Sequence, residues 1–176
     1  VNRSGDAADS RVMNDMATPT DSRVPAVAQH AHAYAATDGA DGHIWHGVPT
    51  LLLTTTGRRS GAARRTVLIY GRHEGLLLLA ASHRGAAHHP DWYLNLQSNP
   101  LVTVQIRGER LPARARTLAG PAREQAWTTM AQLYPEYVRY QAQTSRIIPV
   151  VALEPIGPAT PEATTPTPSG SPHAQT

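Results

Sequence analysis

The stretch Thr66–Ser82, TVLIYGRHEGLLLLAAS, decides the fold class. Thr66–Arg72 and Leu76–Ser82 are runs of β-branched and aliphatic residues, and His73-Glu74-Gly75 between them has the length and the glycine of a hairpin loop. Leu76–Ala81 is apolar at every position, so it predicts a strand covered on both faces. A sheet with something packed on each side follows.

Working outward, Thr50–Thr56 reads as an earlier strand. Downstream, Pro90 followed by Asp91 suits the first turn of a helix running to Ser98, where Asn99-Pro100 stops it. Leu101–Arg107 alternates Leu, Thr and Gln against Val, Val and Ile, and Gly108-Glu109 is a two-residue turn candidate into a strand over Arg110–Leu118. Gly120-Pro121 opens a helix in which Ala122, Ala126, Met130 and Leu133 share one stripe, with Trp127 beside it. Pro135 restarts a short helix carrying Tyr137 and Tyr140, and Ile147–Glu154 is a closing strand. The reading is a mainly β (α+β) domain of about six strands and two or three short helices. Tight turns dominate, which points to an antiparallel sheet closing on itself rather than a parallel βαβ array.

The chain has 176 residues, room for one domain and its tails. Residues 1–45 are rich in Asp, Ser, Ala and Gly, and residues 156–176 in Pro, Thr, Ser and Ala. Neither carries enough apolar surface to offset ordering entropy, so both are expected to be disordered or weakly ordered, flanking a folded unit over 46–155. Ala26–Ala36 is the exception, a candidate short helix against the domain. No stretch approaches the roughly 18 consecutive apolar residues of a membrane span, and the expectation is a cytoplasmic protein whose membrane contact is at most peripheral, on the inner face.

Charge is unevenly placed. Residues 57–146 hold 13 Arg against Glu74, Asp91, Glu109, Glu124 and Glu136, a local net of +8, whereas the first 45 residues hold three Arg and six Asp. A basic domain with an acidic leader fits an anionic ligand, either a phosphorylated cofactor or a nucleic acid. Few aromatics lie among the arginines, which argues against base stacking and hence against nucleic acid. There is no Cys, so disulfides, thiolate catalysis and Cys-rich zinc sites are excluded.

Three segments could carry chemistry. Gly57-Arg58-Arg59-Ser60-Gly61, followed by Arg64-Arg65, combines exposed backbone N–H groups with forked guanidinium donors, an anion cradle without the lysine and spacing of a Walker loop. Ala80-Ala81-Ser82-His83 leaves a buried strand in small and polar residues, as a sheet edge does where a planar ring approaches. Tyr134, Tyr137 and Tyr140, three of the six tyrosines, offer flat walls and phenolic protons. A metal is not expected: His43 and His46, adjacent His88 and His89, and His83 with Asp91 lack a matching carboxylate spacing. A Ser/His/Asp triad from Ser82, His83 or His88 and Asp91 lacks the G-x-S-x-G elbow.

In this order and spacing, TTTGRRSGAARR (54–65), LLLLAAS (76–82), HPDWYLNLQSNPLVTVQIRG (89–108) and LYPEYVRY (133–140) closely resemble the deazaflavin-dependent nitroreductase family of actinobacteria. The resemblance covers residues 50–155 and implies a split β-barrel related to flavin-binding barrels. It implies that coenzyme F420 lies across the barrel with its phosphate and oligoglutamate tail near Arg58, Arg59, Ser60 and Arg64. Ala80, Ala81, Ser82 and His83 would border the deazaflavin ring, with Asp91, Trp92, Tyr93, Leu94 and Asn95 contributing at a helix start whose dipole favours an anion. Ser82, Tyr134, Tyr137 and Tyr140 would surround ring and substrate, Tyr137 contacting both. This sequence departs from many relatives at Ile69, where they carry tyrosine, and at His83, where they carry lysine. The implied reaction passes a hydride from reduced F420 to a quinone, a nitroaromatic or a similar electron-poor acceptor, in a monomer or homodimer. The alternatives are an FMN- or haem-binding barrel of the same shape and a non-catalytic F420-binding protein.

Overall fold

The computed structural model describes residues 18–156. The chain enters through β1 (Thr20–Asp21), α1 (Pro25–Ala36) and β2 (Ile44–Trp45), then builds β3 (Val48–Thr56), β4 (Ala63–Ile69), β5 (Gly71–His73) and β6 (Leu76–Ala80). After a turn at His83–Gly85 come α2 (Asp91–Ser98), β7 (Leu101–Ile106), β8 (Glu109–Thr117), α3 (Gly120–Leu133), α4 (Glu136–Ala142) and β9 (Val150–Pro155). The tail assignments over 1–17 and 157–176 lie outside the described residues.

The hydrogen-bonded order is β1-β4-β3-β7-β8-β9-β6-β5, with β2 paired to β3. Every pairing is antiparallel except that of β1 with β4, which is parallel. Among the described residues the strands therefore number nine rather than six, the surplus being short pieces that carry too little pattern to stand out. β4 and β5 are joined by Tyr70 alone, yet β4 is second from one end of this order and β5 stands at the other. The sheet must curl until its ends meet at Tyr70. No ladder joins them, so the sheet wraps without closing, which corrects the expected closure and breaks the single strand expected over Thr66–Arg72. Tyr70 instead gives its N–H to the Pro49 carbonyl at 3.2 Å and turns its ring into the core at 7% exposure.

Alternation along the strands assigns each face. Leu51, Leu53, Leu77, Leu79, Val102, Val104, Val151 and Leu153 fill the interior of the curl with Tyr93 and Leu96 of α2. Leu78, Ala80, Val150 and Ala152 face outward beneath Ala126 and Met130 of α3 and Tyr137 of α4. The all-apolar run at 76–81 is thus covered on both faces, as its composition requires. Fully burying a leucine contributes about 1.5–3 kcal/mol, so these paired layers carry much of the stability.

Outward-facing Leu52 packs against Ala31 and Tyr34 of α1. The Tyr34 hydroxyl donates to the Thr50 carbonyl at 3.1 Å and accepts from the Arg107 N–H at 2.8 Å, tying α1 to β3 and to the turn after β7. Pro25, with its fixed φ, starts this helix. At the hairpin after His73, Glu74 and Gly75 take φ values of 48° and 77°, the left-handed pair that a two-residue turn between twisted strands requires. The later turn falls on Arg107-Gly108 rather than Gly108-Glu109, since Ile106 pairs with Glu109.

Candidate active site

A cleft of about 750 Å³ opens between the end of β6, the start of α2, strand β4 beside the short β1, and the tyrosines of α4 and of the end of α3. One rim is the turn after β3. Gly57 N–H donates to the Ala62 carbonyl and Gly61 N–H to the Gly57 carbonyl, both at 2.8 Å, closing a tight loop that thrusts its arginines outward. Arg58 folds back onto α2. Its guanidinium donates to Asp91 at 3.0 Å and to the Asn95 side-chain oxygen at 3.1 Å, and that same oxygen accepts the Arg58 main-chain N–H at 3.2 Å. Arg59 and Arg64 pair with no carboxylate among the described residues; Arg64 only approaches the Ser60 hydroxyl, at 3.4 Å. On this rim these two guanidiniums are free to meet an anion, with Arg23 and Arg84 lining the cleft elsewhere, and Arg58 sets the frame that holds them.

The opposite wall is aromatic. Tyr134 ends α3, and Pro135 separates it from α4, yet the three tyrosine rings still form one row. Tyr134 and Tyr137 meet edge to face at 5.2 Å between centroids, and Tyr137 and Tyr140 at 6.4 Å. Burial pushes the Tyr137 phenol far above its ordinary value, with its two tyrosine neighbours adding to the effect. Tyr134 is raised too, first by burial and then by Tyr140 and Glu136. Tyr134 and Tyr137 therefore keep their phenolic protons, available as donors. The hydroxyls of Ser82 and Tyr137 have no hydrogen-bond partner among the described residues, in contrast with Tyr34 and Tyr93, whose hydroxyls are engaged.

Of the residues singled out in the sequence, Arg58, Arg59, Ser60 and Arg64 come together on one rim. Ala80, Ser82, His83, Asp91, Trp92 and Asn95 line the middle, and Tyr134, Tyr137 and Tyr140 the far wall. Ala81, Tyr93 and Leu94 do not line it. Ala81 and Tyr93 point into the barrel interior, at 0% and 4% exposure, because the side-chain period of strand and helix turns them there. Asn95 is also buried, at 4%, and its amide nitrogen donates to Thr55 at 3.1 Å, so its polar atoms already have protein partners.

Three lining residues, Trp45, Leu68 and His89, were not assigned to the site from the sequence, and neither was Arg146 behind them. Trp45 approaches Tyr134 at 6.2 Å across the mouth; the His46-Gly47 turn beside it was the signal available. Leu68 lines the β4 side. His89 lies in the middle wall, and Arg146, from the loop before β9, reaches behind it with no motif to announce it.

A curled, open sheet with arginines on one rim of its cleft and an aromatic wall opposite defines the class as a split-barrel-like protein. The model of the F420H(2)-dependent quinone reductase family matches residues 26–155, and the chain belongs to that family of oxidoreductases. It is 36% identical over 128 residues to an F420H(2)-dependent quinone reductase of Mycobacterium tuberculosis, covering 70% of this chain and 86% of that protein. Among solved structures it is similar to an F420-H2 dependent reductase at 41% identity and a TM-score of 0.57, covering 60% of this chain and 94% of that one. It is also similar to a structure described as a domain-swapped dimer, at 39% identity and a TM-score of 0.58, covering 67% of this chain and 87% of that one. Among the described residues, no helix is long and apolar enough to cross a membrane.

Proposed function

We propose that this chain reduces a quinone, or a comparably electron-poor nitroaromatic, with reduced coenzyme F420 as the hydride source. The observation that carries the reading is the pairing, across one cleft, of unpaired Arg59 and Arg64 with the uncommitted hydroxyls of Ser82 and Tyr137. The donor set suits the coenzyme: guanidiniums match phosphate and carboxylate oxygens, while small Ala80 and the aromatic wall leave room for a flat ring.

When bound, F420 in its reduced form supplies the hydride. The residues do the rest. Arg59, Arg64 and Ser60 hold the anionic tail, and Arg58, fixed by Asp91 and Asn95, keeps that turn in register with α2. Tyr137 and Tyr140 wall off water and orient the acceptor. A neutral phenol then donates a hydrogen bond to the acceptor oxygen on which charge develops, and a proton must arrive there for each hydride transferred. Ser82 gives a second donor at the strand end. Nucleic acid is not part of this reading.

The test is the rate of acceptor reduction by reduced F420 in Tyr137→Phe, Tyr140→Phe and Ser82→Ala. At least one is expected to lose roughly 100-fold, the size of a missing proton donor. Unchanged turnover in all three sinks the proposed residue roles.

A further inference from the structure

Behind the cleft, one guanidinium organises the whole segment between β6 and α2. Arg146 donates through Nε to the Ala86 carbonyl at 2.8 Å, and through its terminal nitrogens to Ala81 at 3.1 Å, to Ser82 at 2.6 Å and to His89 Nδ1 at 3.2 Å. The first three acceptors are carbonyls flanking His83, Arg84 and Gly85, three consecutive residues with φ of 47°, 52° and 79°. Two of these are not glycine, and a run of left-handed residues persists only where its surroundings enforce it. Arg146 is the enforcement. It is itself held from α4, because Gln141 donates to the Arg146 carbonyl at 2.8 Å and accepts the Ile148 N–H at 2.8 Å.

The fourth contact has a chemical consequence. A guanidinium has only N–H donors, so the His89 nitrogen facing it must carry a lone pair. The proton of the neutral ring then sits on Nε2, which has no partner among the described residues. His89 lines the cleft and packs its ring on Tyr93 at 5.0 Å. The groups around it are Arg146 behind, the Tyr93 ring on one side and His88, whose ring meets the His89 carbonyl. Among the described residues no carboxylate contacts it, and burial first and then the Arg146 charge depress its basicity.

We propose that His89 is a cofactor-contacting residue, offering a neutral Nε2–H to a carbonyl oxygen of the deazaflavin ring, and that Arg146 is the positioning residue that fixes this tautomer. This rests on the reading that F420 occupies the cleft. A neutral donor adds no charge and so suits a ring carbonyl, whereas the charged rim at Arg59 and Arg64 suits the phosphate. The same guanidinium holds the Ser82 carbonyl, so donor and strand end are set in one frame.

Two measurements test it on the full chain. In the free protein, nitrogen NMR of the imidazoles at pH 8 is expected to show His89 with a protonated Nε2 and a bare Nδ1, and Arg146→Met to populate the other tautomer. A protonated Nδ1 at pH 8 overturns the proposal. In F420 titrations, His89→Ala is expected to weaken binding about tenfold, and His89→Gln, which keeps an N–H near the Nε2 position, to recover most of it. Wild-type binding matched by His89→Ala overturns the His89 assignment alone, while a wild-type chain that binds no F420 overturns the functional reading with it.

Discussion

The side-chain oxygen of Asn95 accepts two hydrogen bonds from Arg58, one from its main-chain N–H at 3.2 Å and one from its guanidinium at 3.1 Å. Through this single atom the arginine turn is fastened to the start of the cleft helix. Asn95→Leu removes a partner from the part-buried Arg58 N–H, from the Arg58 guanidinium, which keeps Asp91, and from the buried Thr55 hydroxyl. The expected loss is roughly 2–3 kcal/mol of stability, read by urea denaturation. Weaker F420 binding should accompany it, because Arg59 and Arg64 ride on the same turn.

Tyr34 makes a second long-range fastening. Tyr34→Phe removes the bonds to Arg107 and Thr50 while keeping the ring that packs on Leu52. About 1–2 kcal/mol should be lost. Hydrogen exchange should show α1 opening ahead of the barrel, and uniform opening would contradict the local role.

The Tyr137 substitution should separate fold from chemistry. Its hydroxyl holds no described residue, so Tyr137→Phe is expected to leave the thermal midpoint within a degree or two of wild type while acceptor reduction falls.

The pH dependence has a definite sign at each end. Folded Tyr137 and Tyr34 keep their protons above the ordinary value of 10.0, whereas the unfolded chain releases them there. Stability is therefore intact below about pH 10 and is lost as pH rises beyond it, at about 1.4 kcal/mol per pH unit for each such phenol. Tyr137→Phe should shallow that slope. His89 and His43 are depressed below 6.5, mainly by burial, so the unfolded chain takes up protons first as pH falls. Urea midpoints should decline below about pH 6.5, and less so in His89→Gln.

What was legible in the sequence follows from how each signal is made. Leu76–Ala81 announced a strand covered twice because burial on both faces leaves no polar position. Pro90 and Asn99-Pro100 bracketed α2 because proline acts through its own backbone. The wrap of the sheet was not legible: β4 and β5 are adjacent in sequence and distant in the ladder, and only tertiary packing puts Tyr70 at the seam. The Ala-rich segment leading to Tyr34 has too few apolar side chains to reveal that one buried phenol secures it.

The site divides the same way. Arginines and tyrosines stood out by clustering, and their segments meet in one cleft. Whether a residue faces ligand or core depends on a rotation of half a strand period or a third of a helical turn, which is why Tyr93 and Ala81 turn inward beside Trp92 and Ser82. Arg146 acts across 60 residues through carbonyl oxygens, acceptors that every residue possesses, so no side-chain pattern could point to it.

The most direct measurement is a side-by-side titration of the full chain with F420 and FMN, followed by addition of menadione to the complex with reduced F420. The account predicts saturable F420 binding, little FMN binding, and loss of reduced F420 in step with quinone consumed. Tight capture of FMN or haem with no F420 binding, or F420 binding with no quinone reduction, would contradict it.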